Sequence, residues 1–375
     1  MERLIAKNVV LGAGAVGCAT AHHLARRGEP VALVERFGLG HARGSSHGAA
    51  RIIRHSYADP VCARLMPDAF RAWAELEADA GRSFFVRTGG VSFEPPGVGY
   101  VAKVAANLAE LNVPHRVMSG AEWNAVQPAF NLPDDYAVVF EPDAGALAAA
   151  RAIEAEIELA RRGPDTRILT ETPVLRVDLD GERPTLVSDD LTIEAERLIL
   201  AAGPWIGRLI PELAATHRPT RQQVLYFRPA NPGPFQPGRF PTFIHMGPTP
   251  GEAFYGMPEF LAPGVKVARH FGSETDPDEP AAVGEEYVAL VRDFLRGRLP
   301  TLADAEVVAR ETCLYTVAPD ERFLVDAHPA RPDVFLASPC SGHGFKFSIL
   351  VGRVLADMAT GIDIDPRFDA WKRIP

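Results

Sequence analysis

Cysteine is scarce in this chain and positive charge is nowhere concentrated. Its four cysteines, Cys18, Cys62, Cys313 and Cys340, form no Cys-x-x-Cys pair and no zinc-ligand spacing. That excludes a structural zinc module or a disulfide scaffold, gives no metal site, and points to a reducing, cytoplasmic setting. Lys and Arg number 39 against 48 Asp and Glu, for a formal charge of -9. Nucleic acid, which calls for clustered cations, is not an expected partner. No apolar stretch approaches the roughly 20 residues of a membrane span, so no membrane association is expected. The first apolar run is short and broken by glycine, and reads as a buried strand rather than a targeting leader. There is no internal repeat and no low-complexity tract. What remains is a 375-residue chain, 47% hydrophobic, too long for one simple core and expected to fold as two domains.

The strongest positive signal lies at the start. Val9, Val10 and Leu11 lead into Gly12-Ala13-Gly14-Ala15-Val16-Gly17, a helical pattern runs to Gly28, and a second apolar run ends on Glu35 and Arg36. This is strand, glycine turn, helix, strand. Gly12 suits the tight turn, Gly14 lets a pyrophosphate approach the backbone, and Gly17 lets the helix pack closely on the sheet. The helix N-terminus aims N–H groups and its positive dipole end at phosphates, while Glu35 can accept from a ribose diol and would repel a 2'-phosphate. NAD and FAD both fit this motif.

Beyond it, Gly38 to Gly48 reads as a polar loop. Arg51 and Arg54, three apart, are expected on one face of a short helix, with Ile52 and Ile53 turned elsewhere. Helices are expected over Cys62 to Ala80, Tyr100 to Leu111 and Gly120 to Val126, and in an Ala- and Glu-rich segment ending near Arg162. Short strands are expected at Val91 to Phe93, Ile168, Val174 to Val177 and Leu186 to Val187. Leu198 to Ala202 is an apolar strand meeting a turn at Gly203-Pro204-Trp205, as where a sheet strand returns to a cofactor. From Arg218 to about Ala309 the apolar residues alternate, which suggests an antiparallel sheet with one face covered and the other lining a pocket. The expected fold is α/β, or α+β with two domains. A Rossmann-like nucleotide-binding domain (1–85, 137–217 and 310–375) is interleaved with an antiparallel-sheet substrate domain (86–136 and 218–309).

Four stretches, GSSHGAARIIRHSY, FYGMP followed by GVKVARHF, CLYTVAPDERFLVD, and CSGHGFKFSILVG, stand in the order of landmarks in a known family. The chain resembles the monomeric sarcosine oxidase and N-methyltryptophan oxidase family, flavoenzymes of the wider D-amino-acid oxidase superfamily, from its first strand to its last helix. The resemblance implies FAD. It implies that Cys313 bonds covalently to the flavin, for which nearby cations can lower a thiol pKa, although a small buried hydrophobe is the ordinary role of a free cysteine.

The resemblance further implies that Arg54 and Lys346 bind a substrate carboxylate, the Arg fork bidentately and the Lys as a compact charge. Arg51 and Lys266 match basic residues beside the flavin ring, Lys266 being the oxygen-activating group. Tyr255 and His270 fall at active-site positions, and Tyr255 also borders the substrate. Ser45, His47, Gly48, Ile52, Val174, Ala202, Gly203 and Trp205 fall along the cofactor. In SGHGFK, Gly342, His343 and Gly344 match the loop whose backbone borders the flavin, the glycines letting it approach the ring. The expected reaction oxidises a secondary or cyclic amino acid to an imine, with O2 reduced to hydrogen peroxide by a monomeric enzyme. A flavin dehydrogenase, a specialised biosynthetic amine or imine oxidase, or a non-catalytic FAD-binding protein are the alternatives. Ala49 and Ala50 replace an acid and a threonine of sarcosine oxidase, and Cys340 replaces an aromatic, which puts sarcosine itself in question. His245 and Met246 fall where the family pocket varies.

Overall fold

Both faces of the first sheet are apolar because its strands are covered on both sides. The computed structural model describes residues 2–372. In it Thr166–Leu169, Val31–Val34, Glu2–Leu11, Leu191–Leu200 and Arg331–Ser338 lie side by side and parallel. Alternate side chains point to opposite faces. Val10, Leu33 and Ile199 join one core with the helices Ala15–Arg26, Pro60–Ala80, Ala149–Ala160 and Ser348–Thr360. Val9, Leu11, Ala32, Val34, Leu198 and Leu200 join another with Ile206, Ile210 and Leu213. Antiparallel additions come from Leu324–His328 beside Arg331–Ser338, and from Thr185–Val187 and Arg176–Asp178 beside the start of Leu191–Leu200.

The alternating region forms a second sheet, in the order Ser273–Glu274, Arg218–Arg228, Val265–Arg269, Phe254–Met257, Thr242–His245, Gly90–Glu94, Ala137–Glu141, Arg116–Ser119, with Glu306–Val317 along the other edge of Arg218–Arg228. It is antiparallel except where Thr242–His245 runs beside Gly90–Glu94. Phe93, Phe227 and Phe243 bury one face against Leu295 and Val291 of the helix Glu285–Arg298. The opposite face carries Val224, Tyr226 and Ala268. His245, left without a role by the sequence, sits in the aromatic core between Phe93 and Phe294.

Two expectations change. Arg51–Ile53 is a strand, not a helix: the β-branched pair Ile52–Ile53 suits an extended backbone, and the strand pairs with Gly145–Leu147, itself paired with Phe85–Arg87. Arg51 and Arg54 therefore share no helical face, and Arg54 lies just past the strand end. Sheet membership also crosses the expected cuts at 137 and 310, since Ala137–Glu141 and all of Glu306–Val317 pair into the antiparallel sheet. The helix expected from Cys62 begins at Pro60, where Asp59 accepts from the N–H groups of Val61 (3.1 Å) and Cys62 (3.2 Å), and it ends at Gly81 with φ 66°.

Candidate active site

A cavity of about 1520 Å³ is lined by both sheets and by the loops between them. Pockets for drug-sized ligands hold roughly 300–1,000 Å³, so this one has room for a dinucleotide and a small substrate together. Every site residue expected from the sequence lines it except Gly17.

Gly17 acts from behind. A Cβ there would stand 1.8 Å from the Gly12 carbonyl oxygen, so only glycine lets the helix Ala15–Arg26 sit this close to the turn. The helix N-terminus opens into the cavity with Gly14 at its cap and no side-chain cap of its own. Ser46, which sequence reasoning passed over between Ser45 and His47, accepts from the Ala15 N–H at 2.9 Å. Glu35 is buried and accepts from the N–H groups of Ala13 (2.8 Å) and Phe37 (2.9 Å). Burial would raise its pKa, but these bonds and His41 hold it below the ordinary carboxylate value. At the same end Asp278 accepts from Arg36 (2.8 Å) and from the Trp205 indole (2.9 Å). Val174, Ala202 and Gly203 complete this wall.

The middle of the cavity faces the antiparallel sheet. Cys313 and Lys266 reach it from the two strands that flank Arg218–Arg228, and Arg51 faces them from the three-stranded sheet. Arg51 braces the 45–50 loop by donating to the carbonyls of Ser45 (3.0 Å) and Ala50 (2.9 Å) and to that of His47. The His47 ring is tied to the Gly44 carbonyl at 2.9 Å, and Gly48 and Ile52 line the wall beside it. Burial and the Arg51 charge push Lys266 down to about 8. Burial pushes the Cys313 thiol up, outweighing the downward pull of Arg51 and Lys266. The thiolate expected from neighbouring cations is therefore not favoured by this protein environment alone.

The third part is a buried cationic corner. The Arg54 guanidinium lies 4.4 Å from the centre of the Tyr57 ring, and its Nη1 is buried without a hydrogen-bond partner. Lys346 Nζ donates to the Tyr57 hydroxyl at 2.9 Å and to the His343 carbonyl at 3.0 Å. Burial, then Arg54, hold Lys346 well below the usual lysine range. His343 is fixed between the Tyr57 hydroxyl (3.2 Å) and the Glu321 carbonyl (3.3 Å). His270 stands edge-on to Tyr255, and burial with the charges of Lys346 and Arg54 lowers it to about 4. The loop glycines serve its own packing: a Cβ on Gly342 (φ +80°) would meet the Tyr315 ring at 2.4 Å, and one on Gly344 the Pro339 carbonyl oxygen at 1.5 Å. Gly342 lets the loop pack against Tyr315 and His270, Gly344 lets it close on its own Pro339 carbonyl, and both line the cavity.

Comparison with known proteins settles the lineage. Residues 7–358 match the family model described as FAD dependent oxidoreductase. The chain belongs to this family of FAD-dependent oxidoreductases. It is 34% identical over 365 residues to the monomeric sarcosine oxidase of a Bacillus species, covering 94% of this chain and 92% of that one. It is 32% identical to human peroxisomal sarcosine oxidase (96% and 93% covered), and 30% identical to the N-methyl-L-tryptophan oxidase of Salmonella arizonae (96% of each). Among solved structures it shares the fold of NikD, described as an unusual amino acid oxidase essential for nikkomycin biosynthesis, with TM-score 0.85, 24% identity, and 98% and 97% of the two chains covered.

The residues present in this oxidoreductase fit FAD. The glycine turn, the open helix N-terminus and Glu35 suit the adenosine and pyrophosphate end, and the cavity continues to Arg51, Lys266 and Cys313. Sequence reasoning missed two supports of the cationic corner. Tyr57 lay inside a quoted motif, but nothing in its type marked it as the group between Arg54 and Lys346. Glu141, fully buried at the end of the strand Ala137–Glu141, pairs with His55 Nδ1 at 2.6 Å and accepts from the Ser56 N–H at 3.0 Å and the Ser56 hydroxyl. An acid closing an apolar run was its only sequence signal. It ties the segment after Arg54 to the antiparallel sheet.

Proposed function

We propose that the protein oxidises the C–N bond of a secondary or cyclic amino acid to an imine and reduces O2 to hydrogen peroxide. The observation that carries this reading is the buried, unpartnered Arg54 Nη1 beside Lys346. A buried guanidinium with an unpartnered N–H and no ion pair among the described residues, next to a buried lysine, calls for an anionic ligand, and a carboxylate fits the Arg fork. The relatives named for sarcosine and N-methyltryptophan, both N-methyl amino acids, support the class. FAD, when bound, supplies the redox chemistry by accepting a hydride equivalent from the C–H beside nitrogen and passing its electrons to O2.

The residues divide the remaining work. Arg54 and Lys346 hold the carboxylate, and Tyr57 fixes the distance between them. His270, uncharged at neutral pH with its pKa near 4, and Tyr255 shape the substrate wall. Lys266 and Arg51 stabilise negative charge developing as oxygen is reduced. Cys313 attaches the flavin covalently. The interleaved division into a flavin domain (1–85, 137–217 and 310–375) and a substrate domain (86–136 and 218–309) is part of the same reading, as are a monomeric state and a cytoplasmic setting. Four free cysteines are in keeping with that setting, and no helix among the described residues is long and apolar enough to cross a membrane.

The attachment is tested by acid precipitation and in-gel fluorescence beside a Cys313→Ser variant. Yellow that stays with the wild-type chain and leaves the variant supports it; yellow released from both makes Cys313 a bystander.

A further inference from the structure

The sheet face above the expected flavin carries one charge that the proposed reaction leaves unused. Residues paired across an antiparallel ladder share a face, as do residues two apart on one strand. Tyr226 pairs with Lys266, Val224 with Glu311, and Gln222 with Cys313. Tyr226, Lys266, Glu311 and Cys313 therefore form one patch on one face. The Tyr226 hydroxyl donates to Glu311 Oε2 at 2.9 Å, and Lys266 Nζ lies 6.0 Å from the centre of the Tyr226 ring. Arg51 reaches the same patch from the opposite wall: a Cβ on Gly48 would stand 3.1 Å from Arg51 Nη1 and 3.8 Å from Glu311 Oε2. Glu311 makes no direct ion pair among the described residues. It is a carboxylate anchored by a tyrosine on the face that also carries Lys266, with Arg51 on the wall opposite.

We propose that Glu311, anchored by Tyr226, is the counter-charge that keeps Lys266 cationic beside Arg51 and so extends flavin reoxidation to higher pH. This rests on the reading of Lys266 given above. The groups facing Lys266 are Arg51 from the three-stranded sheet, His47 from the preceding loop, Tyr226 and Tyr255 from adjoining strands, and Cys313 and Glu311 from Glu306–Val317. Burial and Arg51 oppose charge on Lys266, and Cys313 and Glu311 favour it. With the Cys313 thiol pushed up, Glu311 is the one carboxylate in the set. Arg51 is held by three backbone carbonyls, and a guanidinium does not deprotonate in proteins, so the effect of Glu311 falls on Lys266.

The test is Glu311→Gln, which keeps an acceptor for Tyr226 and removes the charge, with Glu311→Asp as the conservative control. Two readouts are taken on the FAD-loaded protein. One is the pH profile of reoxidation by O2 after anaerobic reduction. The other is the pH titration of the labelled Lys266 ε-carbon resonance, assigned by its loss in Lys266→Met. The expected result in Glu311→Gln is a fall of about one pH unit in both midpoints, tenfold in proton affinity, with the rate of flavin reduction by substrate unchanged and Glu311→Asp close to wild type. A Lys266 midpoint that is the same in wild type and Glu311→Gln overturns the proposal, and so does an equal shift in Glu311→Asp. If Lys266→Met reoxidises like wild type, the oxygen role of Lys266 fails, while the resonance still decides whether Glu311 sets its charge. Should Glu311→Gln not fold, Tyr226→Phe frees the carboxylate from its anchor and is expected to move the same midpoint in the same direction by less; no movement overturns the proposal.

Discussion

Replacing Arg54 with Gln separates charge recognition from shape at the cationic corner. Arg54 is packed on the Tyr57 ring at 4.4 Å with Nη1 unpartnered, and Lys346 is tethered 2.9 Å from the Tyr57 hydroxyl. A ligand carboxylate would therefore gain its bond to Nη1 without displacing a protein partner. Hydrogen bonds to charged groups contribute about 1.5–3 kcal/mol each, and Gln can replace one of a bidentate pair only as a neutral donor. Lys346 remains, so the expected loss is about 3 kcal/mol, on the order of 100-fold in Kd. The assay is titration of flavin absorbance with propionate and, in parallel, with propionamide, which matches it in shape but lacks the charge. Wild type should bind propionate far more tightly than the amide, and Arg54→Gln should bring the two close together by weakening only the acid. The Lys346→Met variant should reduce the same preference by a smaller factor. An unchanged propionate Kd in Arg54→Gln, with the flavin spectrum intact, would refute the carboxylate clamp.

Three further outcomes follow from the geometry. Lys266→Met should slow flavin reoxidation by O2 at least tenfold and leave the anaerobic reduction rate within about twofold, as stopped-flow would record; equal oxidative half-reactions remove Lys266 from the mechanism. Gly17→Ala forces a Cβ to 1.8 Å from the Gly12 carbonyl, so the turn and helix must part, with a cost of several kcal/mol; retention of FAD at the wild-type unfolding temperature would contradict that packing. Acid should weaken the fold through buried histidines. His22 and His245, away from the cationic corner, are lowered by burial to about 4, below an unfolded value of about 6.5. The unfolded chain binds protons first as pH drops, so stability is full above about 6.5 and falls between about 6.5 and 4, by roughly 1–2 kcal/mol per histidine at pH 5. His22→Gln should flatten the urea midpoint between pH 7 and 5, and an unaltered slope would show that this histidine is not the titrating group.

Local physics makes the nucleotide end legible in the sequence. The glycine turn, the helix after it and the acid at Glu35 each follow from short-range constraints, and alternation from Arg218 onward marks a sheet with one covered face. The helices at Tyr100, Gly120 and Cys62 were readable from apolar spacing within one or two residues of their ends. The Arg51–Ile53 segment was not, because three residues give no period and its state is decided by pairing with Gly145–Leu147, nearly a hundred positions away. Long-range register explains the other gaps. Glu311 becomes a neighbour of Lys266 only once Arg218–Arg228 lies between their strands. Glu141 supports Arg54 only across a join between two sheets. Cys313 shows another limit: sequence lists the cations near a thiol, but the burial that opposes them and pushes the thiol up is a property of the whole fold.

The most direct test of the account is anaerobic mixing of the FAD-loaded protein with a panel of N-methyl and cyclic amino acids and, beside each, the amine that lacks its carboxylate. Bleaching of the yellow flavin by amino acids but not by the matching amines, followed by return of colour and stoichiometric hydrogen peroxide on admitting air, is the predicted result. Flavin that no member of the panel reduces, or that bare amines reduce as fast as the acids, would contradict it.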